Sequence, residues 1–328
     1  MKKILLSIVA LCCTMVAGAQ NEIMTVVLQH GNDVSVFTGV NAFIKANAEA
    51  VDNDVIILSS GTFNVSDITK SISVYGAGFE KDESSNTNVS KINGQLNLGV
   101  SGGETLENIH LEGISFNSHI NTNVPLEGFV MEKCYVNGNL HVGANSNTMI
   151  SNCVITGAIT GGDQLADNCI IQNCYVGGNI NTFNVDSSVK IDHCITCSFV
   201  GPYYCTNSIF TYYWSGAYYD RAAFANTEGA VVRNSIFRNF NYNNQDKNDF
   251  QNCYAVDIRD IFSDATNANY SATRTFEIQQ PGTWVGTDGQ EIGIRYGWSK
   301  VPKTPVVTNL TTTVSGERLE VDYDAIVR

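Results

Sequence analysis

Three charged residues in the second half of the chain, Lys190, Asp192 and Arg233, could between them supply the base, acid and cation of a β-elimination or a glycosidic hydrolysis. A second group suits recognition. The stretch from Phe199 to Phe224 carries Tyr203, Tyr204, Phe210, Tyr212, Tyr213, Trp214, Tyr218 and Tyr219, with Asp220 and Arg221 directly after. Aromatic faces stack on the C–H surfaces of pyranoses while a carboxylate and a guanidinium bond the hydroxyls. Whether either group converges depends on the elements that carry it.

Those elements are set by a ladder that returns about every 20 residues from Leu111 to Ala255. Its core is apolar, two positions, Cys, one position, apolar: Met131/Cys134/Val136, Ile150/Cys153/Ile155, Ile171/Cys174/Val176 and Ile191/Cys194/Thr196. The frame opens at Leu111/Ile114/Phe116 and continues at Cys205/Ser208/Phe210, Val232/Ser235/Phe237 and Phe250/Cys253/Ala255. A fixed period of this length marks a solenoid whose repeats share one core. Within a repeat the inward positions alternate as in strands, as at Phe129, Met131, Cys134, Val136 and Leu140. One step of three, just before the Cys, requires a corner. Asn152, Asn173, Asn207, Asn234 and Asn252 stand there, with Lys133 and His193 as exceptions. Asn tolerates left-handed backbone angles. A second corner is signalled by Gly138, Gly157 and Gly178. A repeat of this length is too short for three strands and a helix, so the expected fold is all-β, a coil of short parallel strands.

The ladder also assigns faces. Lys190, Asp192, Tyr204 and Arg233 fall on the exterior of the strand before the corner, with Asp192 and Arg233 two coils, roughly 10 Å, apart. Phe210 and Trp214 fall on inward points. Tyr204 and Tyr213 point out, and Tyr218, Tyr219, Asp220 and Arg221 ride on an insertion, giving a candidate ligand-binding set. Cys134, Cys153, Cys174 and Cys194 form one inward column with parallel side chains, too widely spaced for disulfides and suited to buried free thiols. No metal site is indicated, because no Cys-x-x-Cys pair stands near a second pair or a His cluster. The position after each Cys is outward by parity yet apolar: Tyr135, Val154, Tyr175, Ile195, Ile209, Ile236 and Tyr254. Something must cover such a stripe, whether the carboxy-terminal segment, a second subunit or a neighbouring domain, unless the strand twists it inward. Self-association through Tyr135, Tyr175 and Ile195 is one reading.

The start of the solenoid carries a recognisable order. Val40, Phe43, Ile44, Ala48 and Val51 share one face of a short helix, followed by Asp52-Asn53-Asp54, the strand Val55-Ile56-Ile57-Leu58, the turn Ser59 to Phe63, and Ile72-Ser73-Val74-Tyr75-Gly76-Ala77-Gly78. This resembles secreted right-handed parallel β-helix proteins of the pectate-lyase-like (pectin lyase fold) superfamily over roughly residues 37 to 260. The resemblance implies a right-handed winding and an amphipathic helix capping its open end. It implies no single activity, since the superfamily holds lyases, hydrolases and adhesins. Its polygalacturonase-type motifs, Asn-Thr-Asp, Asp-Asp, Gly-His-Gly and Arg-Ile-Lys, do not occur. Of the pectate-lyase motifs only Ile191-Asp192-His193 echoes Trp-x-Asp-His, and His193 occupies the corner, where a turn role suffices. Calcium, a frequent aid to such lyases, is supported by no motif here, and no cofactor is expected.

Lys2-Lys3, the apolar run Ile4 to Val16 and Ala17-Gly18-Ala19 make a cleavable secretory signal over residues 1–19, in keeping with a bacterial protein exported to the periplasm, cell surface or medium. Neither Cys12 nor Cys13 has a lipoprotein context. No second apolar run is long enough to span a membrane. The 19 Lys and Arg stand against 32 Asp and Glu; losing Lys2 and Lys3 leaves 17 against 32, a net charge of −15. Nucleic acid and anionic membrane are disfavoured as partners, and anionic polysaccharide over most of the surface. The expected organisation is a signal at 1–19, an amino-terminal cap at 20–54 with the helix, a parallel β-helix at 55–300 and a short β tail at 301–328. Ahead of that tail, Thr283 to Tyr296 reads as a hairpin around Asp288-Gly289. The leading functional expectation is a non-catalytic binder of extracellular glycan. The alternatives are a polysaccharide lyase or glycoside hydrolase using Asp192 with Lys190 or Arg233, and a structural or adhesive surface protein.

Overall fold

The computed structural model describes residues 24–80, 88–181, 183–201, 203–211, 228–238, 246–295, 305–315 and 318–327. The expected signal at 1–19 lies outside them, as do Trp214 and the insertion tyrosines. The described chain is a parallel β-solenoid. One sheet has 12 strands and a second has 10, with a third of 5 and a fourth of 4 along the early coils. In the first sheet Val130–Glu132 pairs in parallel with His110–Glu112 on one side and Met149–Ser151 on the other, and the same register repeats through Asp249–Gln251. Like residues therefore stack: Met131 over Leu111, Ile150 over Met131, Ile171 over Ile150. Phe129, Met131, Cys134, Val136 and Leu140 are all fully buried. Each such apolar rung contributes about 1.5–3 kcal/mol.

The corner between the first two sheets is left-handed in each repeat from Met131 to Ala255. Lys133, Asn152, Asn173, His193, Asn207, Asn234 and Asn252 have φ between 46° and 54°. Asn108, Asn147 and Asn168 take similar angles where the fourth sheet meets the first. Asparagines also stack, Asn173 Nδ2 donating to Asn152 Oδ1 at 2.6 Å. Of the second-corner glycines only Gly138 has a positive φ, 146°. Gly157 and Gly178 are there for room, since a side chain at either would strike backbone of the coil before.

The helix runs over Ala42–Glu49, shorter than the apolar pattern suggested. Its buried residues are Ala42, Phe43, Ala46 and Asn47, joined by Ala50. Val40, Ile44 and Val51 are exposed, which corrects the expected face. Val40 and Val51 lie beyond the helix ends, so a face reckoned through them is rotated. Small alanines instead let the helix sit close while Phe43 enters the core beside Leu58 and Phe63. Two antiparallel strands, Thr25–His30 and Asp33–Thr38, complete the cap and end the first sheet.

Winding stops at Tyr254–Ala255, short of residue 300. Residues 256–295 turn back along the flank as a strap. Ile261, Phe262, Phe276, Ile278, Ile292 and Ile294 bury themselves against Val154, Tyr175, Ile195, Ile209 and Ile236. Tyr175 stacks on Phe276 with centroids 5.5 Å apart. The chain's own carboxy-terminal segment thus covers the outward apolar stripe, and Phe79 covers its early end at Tyr135. The expected turn at Asp288-Gly289 forms inside the strap, closed by Gly286 N–H donating to Gln290 O at 2.7 Å and by a Val285–Glu291 bridge. Pro305–Ser315 and Arg318–Val327 pair as an antiparallel hairpin. No helix among the described residues is long and apolar enough to cross a membrane.

Candidate functional site

The outer face of the first sheet carries the residues singled out for chemistry. Two exterior columns run along it. Lys190 stands beside Tyr204 in one, and Asp192, Thr206 and Arg233 follow one another in the other. Asp192 and Arg233 are therefore on one face, two rungs apart, as the period implies. They do not meet. Asp192 Oδ1 accepts from Thr206 Oγ1 at 2.6 Å and from Asn207 Nδ2 at 2.9 Å. Arg233 turns the other way, forming an ion pair with Asp249 and donating through Nη1 to Asp249 O at 2.8 Å. Lys190 and Tyr204 are exposed, Tyr204 at 45%. Tyr213, Tyr218, Tyr219, Asp220 and Arg221 lie outside the described residues. Tyr203 and Phe210 belong to the core.

Earlier on the same face lies a cluster that the sequence reading passed over. Tyr75 Oη is 3.4 Å from His110 Nδ1, His110 Nε2 is 3.5 Å from Glu112 Oε2, and Lys133 Nζ sits 3.1 Å from Glu112 and 3.3 Å from Glu132. Glu112 and Glu132 occupy neighbouring rungs of the Asp192 column, and Lys133 is the corner residue that breaks the Asn rule. That break was the available signal. Burial raises the Glu112 carboxyl, but hydrogen bonds and charge from His110 and Lys133 outweigh it and leave the group below its ordinary value. Burial opposes the charge on Lys133, yet Glu112 and Glu132 hold its ammonium above the ordinary lysine range. Burial and the charge of Glu112 push the Tyr75 phenol up. His110, Glu112 and Glu132 offer ligand atoms within 4.8 Å of one another, the arrangement a divalent cation would need. Lys133 already supplies positive charge to both carboxylates there. A Glu112 carboxyl held ionised beside a lysine makes a poor general acid, so the cluster is better fitted to join coils than to protonate a leaving group.

His193, the other exception, also binds across the fold. It is buried, with Nδ1 2.9 Å from Gly293 O and Nε2 3.2 Å from Asp288 Oδ2. Neighbouring corners hold the same strap. Asn173 Oδ1 accepts from Arg295 N–H at 2.8 Å, Asn207 Oδ1 from Thr287 N–H at 2.7 Å, and Asn234 Nδ2 donates to Val285 O at 3.1 Å.

The eight cysteines among the described residues are free. Burial pushes the Cys169 thiol up to about 12 and Cys205 higher still. A thiol so placed is protonated and unreactive at neutral pH. The inward column has a bonding role as well as a packing one. Cys153 N–H donates to Cys174 Sγ at 3.4 Å, Cys194 N–H to Ser208 Oγ at 3.1 Å, and Ser208 N–H to Ser235 Oγ at 3.2 Å. After the left-handed corner the amide points along the stack, and the next coil answers it with a small heteroatom. This explains why Cys and Ser interchange at that position.

Fold and face together define a parallel β-solenoid with a polar exterior sheet and a strapped flank. The chain matches no protein-family model, no curated protein and no solved structure.

Proposed function

We propose that this is an exported, non-catalytic solenoid of the pectate-lyase-like kind that binds an extended extracellular glycan along the outer face of its first sheet. The observation that carries the reading is the column Gln172, Asp192, Arg233 and Gln251, four polar side chains that reach solvent along one face, with Ser151 and Thr206 of the same column buried. Rungs of a sheet repeat at roughly 4.8 Å. A pyranose unit in an extended chain advances by a similar distance, so hydroxyl groups along it meet the side chains of several rungs. Exposed Tyr204 in the adjoining column offers a ring face. The insertion with Tyr213, Tyr218, Tyr219, Asp220 and Arg221 supplies further partners in this proposal. Affinity electrophoresis in polysaccharide-containing gels tests it. Retention should fall about tenfold in Tyr204→Ala and further in a Tyr213/Tyr218/Tyr219 alanine variant; equal retention of all three proteins overturns it.

A second reading is favoured by exposed Lys190 standing next to the Asp192 column. In it the face cleaves its glycan, with Asp192 as the essential carboxylate. Release of unsaturated or reducing ends that disappears in Asp192→Asn would establish it, and a panel left intact by the wild type would dismiss it.

A further inference from the structure

A cleft of about 920 Å³ opens where the last coil, Cys253 to Val256, meets the strap at Gln279 to Trp284. It is separate from the Lys190/Asp192 region of the outer face and its walls are of two kinds. Tyr254 and Trp284 are half-buried, each resting on the apolar stripe cluster. Such rings are held in place without being hidden. Gln279, Gln280, Asp257 and Asp260 are exposed around them. Asp257 is engaged by Arg259, which reaches it through Nε at 2.9 Å and Nη2 at 2.7 Å. The side chains of Gln279, Gln280, Asp260, Tyr254 and Trp284 have no hydrogen-bond partner among the described residues.

Two anchored aromatic rings beside two amides and a carboxylate, all with unspent hydrogen-bonding capacity, match the amphipathic surface of a sugar ring. The charge balance narrows the class. Arg259 pairs with Asp257 and also feels the charge of Asp260, while Arg238 adds to the field on Asp257, so the carboxylates of the lining are already matched by guanidiniums. A uronate or sulfated sugar would have to displace those pairs, whereas a neutral pyranose can donate hydroxyls to Asp260 and exchange bonds with the glutamines. We propose that this cleft is a neutral-pyranoside subsite, with Trp284 and Tyr254 as ring platforms and Asp260, Gln279 and Gln280 as hydroxyl partners. The ligand class rests on the glycan-binding reading above; the location does not.

The test is affinity electrophoresis of the full chain in gels containing galactomannan, xyloglucan or laminarin, with polygalacturonate and alginate as anionic comparisons. The expected result is retention by at least one neutral polymer, weakened about tenfold by Trp284→Ala and by the exposed pair Gln280→Ala with Asp260→Asn, and weakened as much again when either change is added to Tyr204→Ala. Both residues of that pair are exposed, so it decides the matter if Trp284→Ala fails to fold. Retention lost in Tyr204→Ala but kept in the cleft variants overturns the subsite and leaves the outer-face proposal standing. Retention by the anionic polymers alone overturns the neutral class. Absence of retention in every gel removes both proposals.

Discussion

At the scale of single residues, the two corners that depart from Asn both reach carboxylates on other segments. Lys133 joins Glu112 and Glu132, and His193 joins the strap. Lys133→Asn restores the usual corner, so its cost should isolate the ion pairs. Glu112 is held below its ordinary 4.5, and its contribution is complete above that value and lost as pH falls through the lowered one. Lys133 is held above its ordinary 10.5, and its contribution is complete below that value and lost as pH rises through the raised one. Thermal melts should therefore separate wild type from Lys133→Asn between about pH 4.5 and 10.5, and converge in acid below that window. The Cys position gives a second expectation. Cys174→Ser keeps an acceptor for the Cys153 amide, as Ser208 and Ser235 do for their neighbours, whereas Cys174→Val strands a buried N–H at a cost of about 1–3 kcal/mol. Urea titration should rank Val below Ser, although valine is the more apolar.

At the scale of elements, the strap was half readable. Seven apolar residues at outward parity said that a cover exists, and parity could not say which segment supplies it. The cover has no period of its own, and its anchors are remote, His193 and Gly293 being 100 residues apart. The acid-base set shows the opposite limit. The period placed Asp192 and Arg233 on one face correctly, but which neighbour each would take depended on side-chain reach, and Asp249 claimed the guanidinium. Asp288 opens the strap to a pH test. Burial opposes its charge, but the Gln290 amide, His193 and Arg295 hold the carboxyl below its ordinary 3.8. Its contribution is present above that value and lost as pH falls through the lowered one. Asp288→Asn should loosen residues 256–295 at neutral pH, read as faster amide exchange there and as dye binding to the uncovered stripe. In the wild type the same signal should appear only in strong acid.

At the scale of the whole molecule, the winding was the most legible feature because every coil repeats the same demand on the same positions. The cap was less so, since Val40 and Val51 mimic a helix face without belonging to the helix. Stacking makes stability a sum of neighbouring interfaces. Ile171→Ala, with coils on both sides, should cost about 2–5 kcal/mol and shift the whole urea transition. Val27→Ala in the cap should do less damage to the later coils, measurable as amide exchange confined to the first turns.

The strap's anchors also lie in series, Arg295 on Asn173, Gly293 and Asp288 on His193, Thr287 on Asn207 and Val285 on Asn234. A tension applied beyond residue 295 would load them one after another, like stitches in a seam, each passing its force to a single coil and parting before the next is loaded. The flank would act as a mechanical fuse that lengthens under shear and spares the tube.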